Sequence, residues 1–174
     1  QIIFGSLETE NRSIRIDGQF YAKPFTSRDK IAYLPQGSFL PSNLTVTSVI
    51  RTFLSSEISR KTVAENARIQ SLLNKKVSAL SGGEKRYFEV LLILNLPTLF
   101  ALLDEPFAQI EPLYITDIKT LITSYKKDKG IILTDHDYVN LMDVSDKTLL
   151  LTGGTLKLIV GRKQLIDYNY LPPE

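Results

Sequence analysis

Leu99-Phe100-Ala101-Leu102-Leu103-Asp104-Glu105-Pro106 is an apolar run followed at once by two carboxylates and a proline. Apolar residues without polar alternation read as a strand buried on both faces, the pattern of a parallel sheet covered by helices. A second such run, Ile131-Ile132-Leu133, comes later in the chain. Between the two, Ile115, Ile118, Ile122 and Tyr125 recur at helical spacing after Pro112, a residue suited to the first turn of a helix. Strand, helix, strand in that order is a βαβ unit. Ligands of such sheets bind beyond the carboxyl ends of the strands, which directs attention to Asp104-Glu105 after the first run and Asp135-His136 after the second. By itself Asp104-Glu105 also fits a solvated acidic turn. Read functionally, the first carboxylate can hold Mg²⁺ through water and the second can orient or deprotonate an attacking water.

Working outward from this unit, Ile31-Ala32-Tyr33-Leu34 is a short apolar strand stopped by Pro35, with Gln36 at its end. Ser13-Ile14-Arg15-Ile16 alternates and runs into Asp17-Gly18, which predicts an exposed antiparallel strand pair. Thr45 is placed to cap a helix whose Val46, Val49, Ile50, Phe53 and Leu54 share one face. That face serves either core packing or docking. A second helix is expected over Lys61 to Leu73 and a third after Ser81. Thr148–Leu151 and Thr155–Val160, joined by Gly153-Gly154, predict a closing hairpin, and the tail from Asn169 to Glu174 is expected to fray.

Leu80-Ser81-Gly82-Gly83-Glu84 opens the third helix. Ser81 and Glu84 have the spacing of a capping box, the serine accepting from a backbone N–H while the glutamate reaches back. Capping alone does not require two consecutive glycines. Without Cβ atoms the backbone N–H groups of a helix start can approach an anion, which the helix dipole favours. The two readings are compatible, since a cap can also clamp a phosphate.

The composition bounds the rest. The 174 residues suffice for one domain, with 43% hydrophobic and 23% charged residues, as in an ordinary globular chain. A formal charge of +2 lacks the basic excess that nucleic-acid binding requires, so no nucleic-acid partner is expected. The absence of cysteine excludes disulfides and thiolate metal sites, and no apolar stretch approaches the roughly 18 uninterrupted residues of a spanning helix.

In their order along the chain these motifs resemble the nucleotide-binding domain of an ABC transporter. Leu34-Pro35-Gln36 is similar to that family's Q-loop, Leu80–Glu84 to its signature sequence, and Leu99–Glu105 to its Walker B strand. Ala108-Gln109-Ile110-Glu111 stands where its D-loop would be, and Thr134-Asp135-His136 resembles its switch-histidine loop. The resemblance implies a P-loop NTPase-like α/β fold: a three-layer core with a mainly parallel sheet, formed by residues 1–36 and 90–174 of one domain, and a small helical subdomain at 37–89 carrying the signature. It implies ATP as nucleotide and Mg²⁺ as metal. Glu105 would be the catalytic carboxylate, His136 would contact the γ-phosphate, and Gln36 would contact Mg²⁺ or the attacking water. Asp104 would hold the metal's water shell, while Ser81, Gly82 and Gly83, with Glu84 of the same motif, would serve the nucleotide of the opposite subunit. Such a protein would form a homodimer or heterodimer of nucleotide-binding domains, bound to transmembrane permease subunits on the cytoplasmic face of a membrane. Ala79–Arg86 and Leu133–Asp137 look most like the subfamily of branched-chain amino-acid importers and lipopolysaccharide exporters.

Two departures stand out. None of the nine glycines is followed by lysine, so no Gly-x-x-x-x-Gly-Lys-Ser/Thr is present. Gln1–Gly5 then resembles the family's helix just after that loop. The expectation is an N-terminally incomplete domain that by itself binds ATP poorly and does not hydrolyse it. Glu111 replaces the D-loop's usual Asp. Two alternative functions share the motifs: a chromosome-maintenance or DNA-repair ATPase, whose long coiled coil residues 37–80 are too few to hold, and a non-catalytic interaction module, for which Asp104, Glu105 and His136 would have no purpose.

Overall fold

The computed structural model describes residues 1–7, 9, 13–27 and 29–172. Residues 1–136 and 137–174 form two separate units. The first is built on three parallel strands, β3 (Ile31–Leu34), β4 (Phe100–Asp104) and β5 (Gly130–Thr134), in the order β3-β4-β5. Before them lies a small antiparallel pair, β1 (Arg15–Ile16) and β2 (Gln19–Phe20), turned at Asp17-Gly18, where both residues have positive φ as such tight turns require. Gln1–Gly5 makes a single turn, Gly5 N–H donating to Gln1 O at 2.9 Å, and Phe4 stacks on Tyr33 with ring centroids 5.1 Å apart.

Between β3 and β4 come three helices: α1 (Val46–Phe53), α2 (Glu57–Ala64) and α3 (Gly82–Leu94). Thr45 Oγ1 accepts from Ser48 N–H as the N-cap of α1. Val46, Val49 and Ile50 are buried, so the apolar face of α1 is largely spent on packing. Leu73 and Lys75 carbonyls accept from the Thr47 and Val46 amides, closing this helical insert on itself. The continuous helix expected over Lys61 to Leu73 does not form. Ser56 starts α2 earlier, and α2 ends at Ala64 because Asn66 takes over the local hydrogen bonding. Its side-chain oxygen accepts from Arg68 N–H at 3.0 Å and its carbonyl from Ile69 and Gln70, bonds that compete with a helical ladder. Residues 70–72 then form only a 3₁₀ turn.

Helix α3 is the centre of this unit. Every residue from Arg86 to Leu94 is buried, as expected of a helix packed all round. It lies against β3, β4 and α4 (Pro112–Tyr125). β4 is buried along Ala101–Leu103, as its sequence predicts. β5 is not: its residues alternate between exposed and half-buried, and Ile132 is 45% exposed. β3 is an edge strand too and is buried, so the difference lies in what covers the faces: α3 packs on β3 and β4 and has no comparable contact with β5.

In the second unit α5 (Tyr138–Val144) is followed by the antiparallel hairpin of β6 (Thr148–Thr152) and β7 (Thr155–Ile159), turned at Gly153-Gly154, and by α6 (Arg162–Asp167). The tail expected to fray is tied down at its start, where Tyr170 N–H donates to Leu165 O at 2.8 Å; residues 173 and 174 lie outside the described residues.

The two glycines of the signature differ. Around Gly82 the space is open, the nearest atom to an added Cβ being Gln109 O at 4.0 Å. Gly83 is buried, and a Cβ there would collide with the Tyr114 ring and the Glu111 carboxylate of the α4 start. That ring is itself covered by the Arg68 guanidinium, 5.8 Å from its centroid, and Arg68 pairs with Asp117 at 2.8 Å. Gly83→Ala should therefore cost about 1–3 kcal/mol by overpacking and lower the thermal midpoint by several degrees in circular dichroism, whereas Gly82→Ala should leave it unchanged or raised. Equal midpoints would show that α3 and α4 do not depend on this contact.

Lys129 is buried at the entry to β5, where its Nζ donates to Leu96 O at 2.6 Å and Thr98 Oγ1 at 3.1 Å. Burial pushes the ammonium down to about 8. The unfolded chain holds this proton up to about pH 10.4, so between those values it binds more protons than the folded protein, and stability rises with pH. In urea titrations the wild type should gain stability relative to Lys129→Met from pH 8 to about 10.4; parallel pH profiles would contradict the depressed ammonium.

Candidate functional site

Parallel register sets the geometry. Leu34 pairs with Leu103, and Asp104 with Thr134, so that β3, β4 and β5 end side by side. The residues just beyond each strand meet at one edge. Gln36 Nε2 donates to Glu105 Oε2 at 2.7 Å, and His136 Nε2 lies 3.4 Å from Glu105 Oε1. Each carboxylate oxygen of Glu105 thus has a partner from a neighbouring strand end. The Glu105 side chain is 18% exposed while His136 is 88% exposed, so the carboxylate is sheltered and the imidazole forms its solvent side.

Glu105 has φ +49°, in the left-handed region that a glutamate enters only at a cost of about 1–3 kcal/mol. Its backbone is held there from several directions. Glu105 N–H donates to Thr134 O at 2.7 Å, its carbonyl accepts from Ala108 N–H at 3.2 Å and from Arg86 Nη2 at 2.9 Å. The following Phe107 N–H is taken by Asp135 Oδ2 at 2.9 Å.

Asp104 is gripped separately. Tyr33 Oη donates to its Oδ2 at 2.8 Å and Thr134 Oγ1 to its Oδ1 at 2.7 Å. Burial, and then the bond to Asp104, pushes the Tyr33 phenol up to about 12. Asp104, Glu105 and the amide oxygen of Gln36 are hard donors. No cluster of three or more His, Cys, Asp or Glu that could hold a metal ion unaided exists among the described residues. Mg²⁺ takes hard oxygen donors of this kind and keeps several of its waters.

Ser81, Gly82, Gly83 and Glu84 form their own element at the start of α3. Both halves of the capping box are made: Glu84 N–H donates to Ser81 Oγ at 3.1 Å and Ser81 N–H to Glu84 Oε2 at 2.8 Å. Lys75 Nζ stands 3.7 Å from Glu84 Oε1. The open space at Gly82 leaves this helix start approachable by an anion, while Gly83 is committed to α4.

Sequence reasoning passed over Tyr33, Thr134 and Arg86. The hydroxyls of the first two act on Asp104 across strands, and only the register reveals them. Arg86 acts mainly on backbone carbonyls, which every residue carries, so no partner residue marks it in the sequence.

A family model for ABC transporters matches residues 1–108. The lipopolysaccharide export system ATP-binding protein LptB of Haemophilus influenzae is 30% identical over 168 residues, covering 89% of this chain and 70% of that protein. A probable ABC transporter ATP-binding protein of Azorhizobium caulinodans is also 30% identical, over 89% of this chain and 59% of its own length. LptB of Escherichia coli K12 is 31% identical over 75% of this chain and 58% of that protein. Some of these relatives are thus spanned over less than two thirds of their length. A solved ATP-binding subunit of an ABC transporter superposes with a TM-score of 0.76 at 25% identity, over 89% of this chain and 69% of that one. A dimeric ATP-binding cassette bound to ADP and Pi shares the fold with a TM-score of 0.73 at 19% identity, over 92% and 79% of the two chains. The chain therefore belongs to the ABC transporter ATP-binding family and has its P-loop NTPase fold.

Proposed function

We propose that this chain is the greater part of an ATP-hydrolysing subunit that drives transport of a substrate across a membrane. The observation that carries the reading is the Glu105 carboxylate, held between Gln36 and His136 at the carboxyl edge of the sheet. In this mechanism Glu105 orients the attacking water and accepts its proton, while Gln36 and His136 fix the carboxylate on either side. His136, on the solvent side, would meet the γ-phosphate. Asp104, steadied by Tyr33 and Thr134, and the Gln36 amide oxygen are the residues that would hold Mg²⁺, which when bound neutralises charge on the phosphate oxygens. Ser81 and Gly82 present the α3 start to the nucleotide of a second nucleotide-binding domain, in a homodimer or heterodimer on the cytoplasmic face of a membrane, joined to transmembrane subunits. No helix among the described residues is long and apolar enough to cross a membrane. Residues 37–80 are occupied by α1, α2 and short 3₁₀ turns, which counts against the coiled-coil DNA-repair reading.

The loop Gly-x-x-x-x-Gly-Lys-Ser/Thr is not in the sequence. Since that loop cradles the phosphates, this chain alone is expected to show no micromolar affinity for MgATP in a titration calorimeter. In a polypeptide that joins such a loop ahead of Gln1, Glu105→Gln should reduce turnover by about 10²–10⁴-fold, the usual worth of a general base, and leave ATP binding intact. Undiminished hydrolysis would remove Glu105 from the mechanism.

A further inference from the structure

Arg86 and Glu89 are buried charges on one face of α3, Arg86 6% and Glu89 2% exposed. Their burial needs partners, because an unpaired interior charge is strongly destabilising. Arg86 has four. Nη1 donates to Pro35 O at 2.9 Å and lies 3.4 Å from Glu89 Oε2, and Nη2 donates to Glu105 O at 2.9 Å and to Asp104 O. Glu89 in turn accepts from Ser38 Oγ. These partners are not scattered. Pro35 and Ser38 bracket the Gln36 loop, and the Asp104 and Glu105 carbonyls belong to the two carboxylates at the end of β4.

We infer that Arg86 is a positioning residue for the hydrolytic centre, its planar guanidinium tying the backbones that carry Gln36 and Glu105 into one arrangement. This rests on the ATPase reading above for its catalytic consequence, although its structural content does not require ATP. A guanidinium is the side chain that can do this, since its fork of fixed donors spans several carbonyls, whereas an ammonium is a point charge that satisfies fewer at once. The contact falls where it is most needed. Glu105 sits in the left-handed region, and a residue held in a strained conformation persists only where its surroundings over-determine it. With Arg86 in place the Glu105 carbonyl is fixed, and with it the direction in which the carboxylate leaves the backbone. The bond to Pro35 O fixes the residue before Gln36, so one side chain sets both ends of the 2.7 Å Gln36–Glu105 hydrogen bond.

The test uses His136, the chain's single histidine. Its imidazole contacts Glu105 and therefore reports where that carboxylate is. In isotope-labelled protein, Glu105→Gln should shift the imidazole resonances and define the signature of a lost Glu105 contact. Arg86→Lys, which keeps the charge, should shift the same resonances in the same direction in protein that circular dichroism shows to be folded. Arg86→Gln should do so as well. An imidazole spectrum identical to wild type in either folded variant, with only the thermal midpoint lowered, would mean that Arg86 merely stabilises the fold and would overturn the proposal. Should both variants fail to fold, the unsubstituted protein still tests the clamp that the proposal requires. Arg86 side-chain protons held by four acceptors should be resolved and slow to exchange, and a single fast-exchanging signal would refute the clamp. In the polypeptide carrying the P-loop, Arg86→Lys should lower kcat by about 10²-fold, the scale of a 1 Å misplacement, with KM for ATP nearly unchanged. If the unsubstituted polypeptide hydrolyses no ATP while the imidazole responds to Arg86, it is the ATPase reading that fails and the positioning role that stands.

Discussion

Parallel pairing of β4 between β3 and β5 is the constraint on which the rest depends. Because Leu34 pairs with Leu103 and Asp104 with Thr134, the three chain segments leave the sheet at the same level. Gln36, Glu105 and His136 meet for that reason, although 69 and then 31 positions separate them along the chain. A shift of one residue in either pairing would turn every side chain to the opposite face and break the Tyr33–Asp104 and Thr134–Asp104 bonds as well as the cluster itself. The buried apolar stretch Ala101–Leu103 resists such a shift, since slippage would draw Asp104 into the core.

Around this frame the polar groups divide into those that touch one another at the edge and those that hold the edge from behind. Asp104 and Glu105 are neighbours in sequence with opposite environments. Asp104 is pinned by side-chain hydroxyls from both adjacent strands, while Glu105 is pinned through its backbone and leaves its carboxylate to Gln36 and His136. The left-handed backbone at Glu105 separates the two roles, because it turns the second carboxylate out of the alternation that a continuing strand would impose.

Much of this was legible in the sequence where a local rule sufficed. The apolar run before Asp104 predicts β4, Pro112 the start of α4, Thr45 the cap of α1, and Ser81 with Glu84 a capping box that the structure makes in full. What escaped depended on partners distant in sequence. The exposure of β5 follows from the packing of α3 on β3 and β4 instead, which the composition of β5 does not reveal. The break at Asn66 arises because one side chain offers the backbone an alternative set of bonds. The unequal duties of Gly82 and Gly83 are decided by Tyr114 and Glu111, some thirty residues away. Among the candidate site residues, Glu105 and His136 were marked by their place after strands, and Gln36 only by the order and spacing of the motifs. Arg86 was invisible because its chief acceptors are carbonyls.

The insertion between β3 and β4 also sets how much chain each strand pairing has to close. β4, α4 and β5 are contiguous, so their parallel pair closes over one crossover helix. β3 joins β4 only after residues 35–99 have been brought together, and the entropy of closing so long a segment must be met before the pairing stabilises anything. That segment is filled by the helical insert, closed on itself, and by α3, which lies on both strands. The Gln36–Glu105 contact, across 69 positions, therefore carries a larger loop-closure cost than the Glu105–His136 contact, across 31.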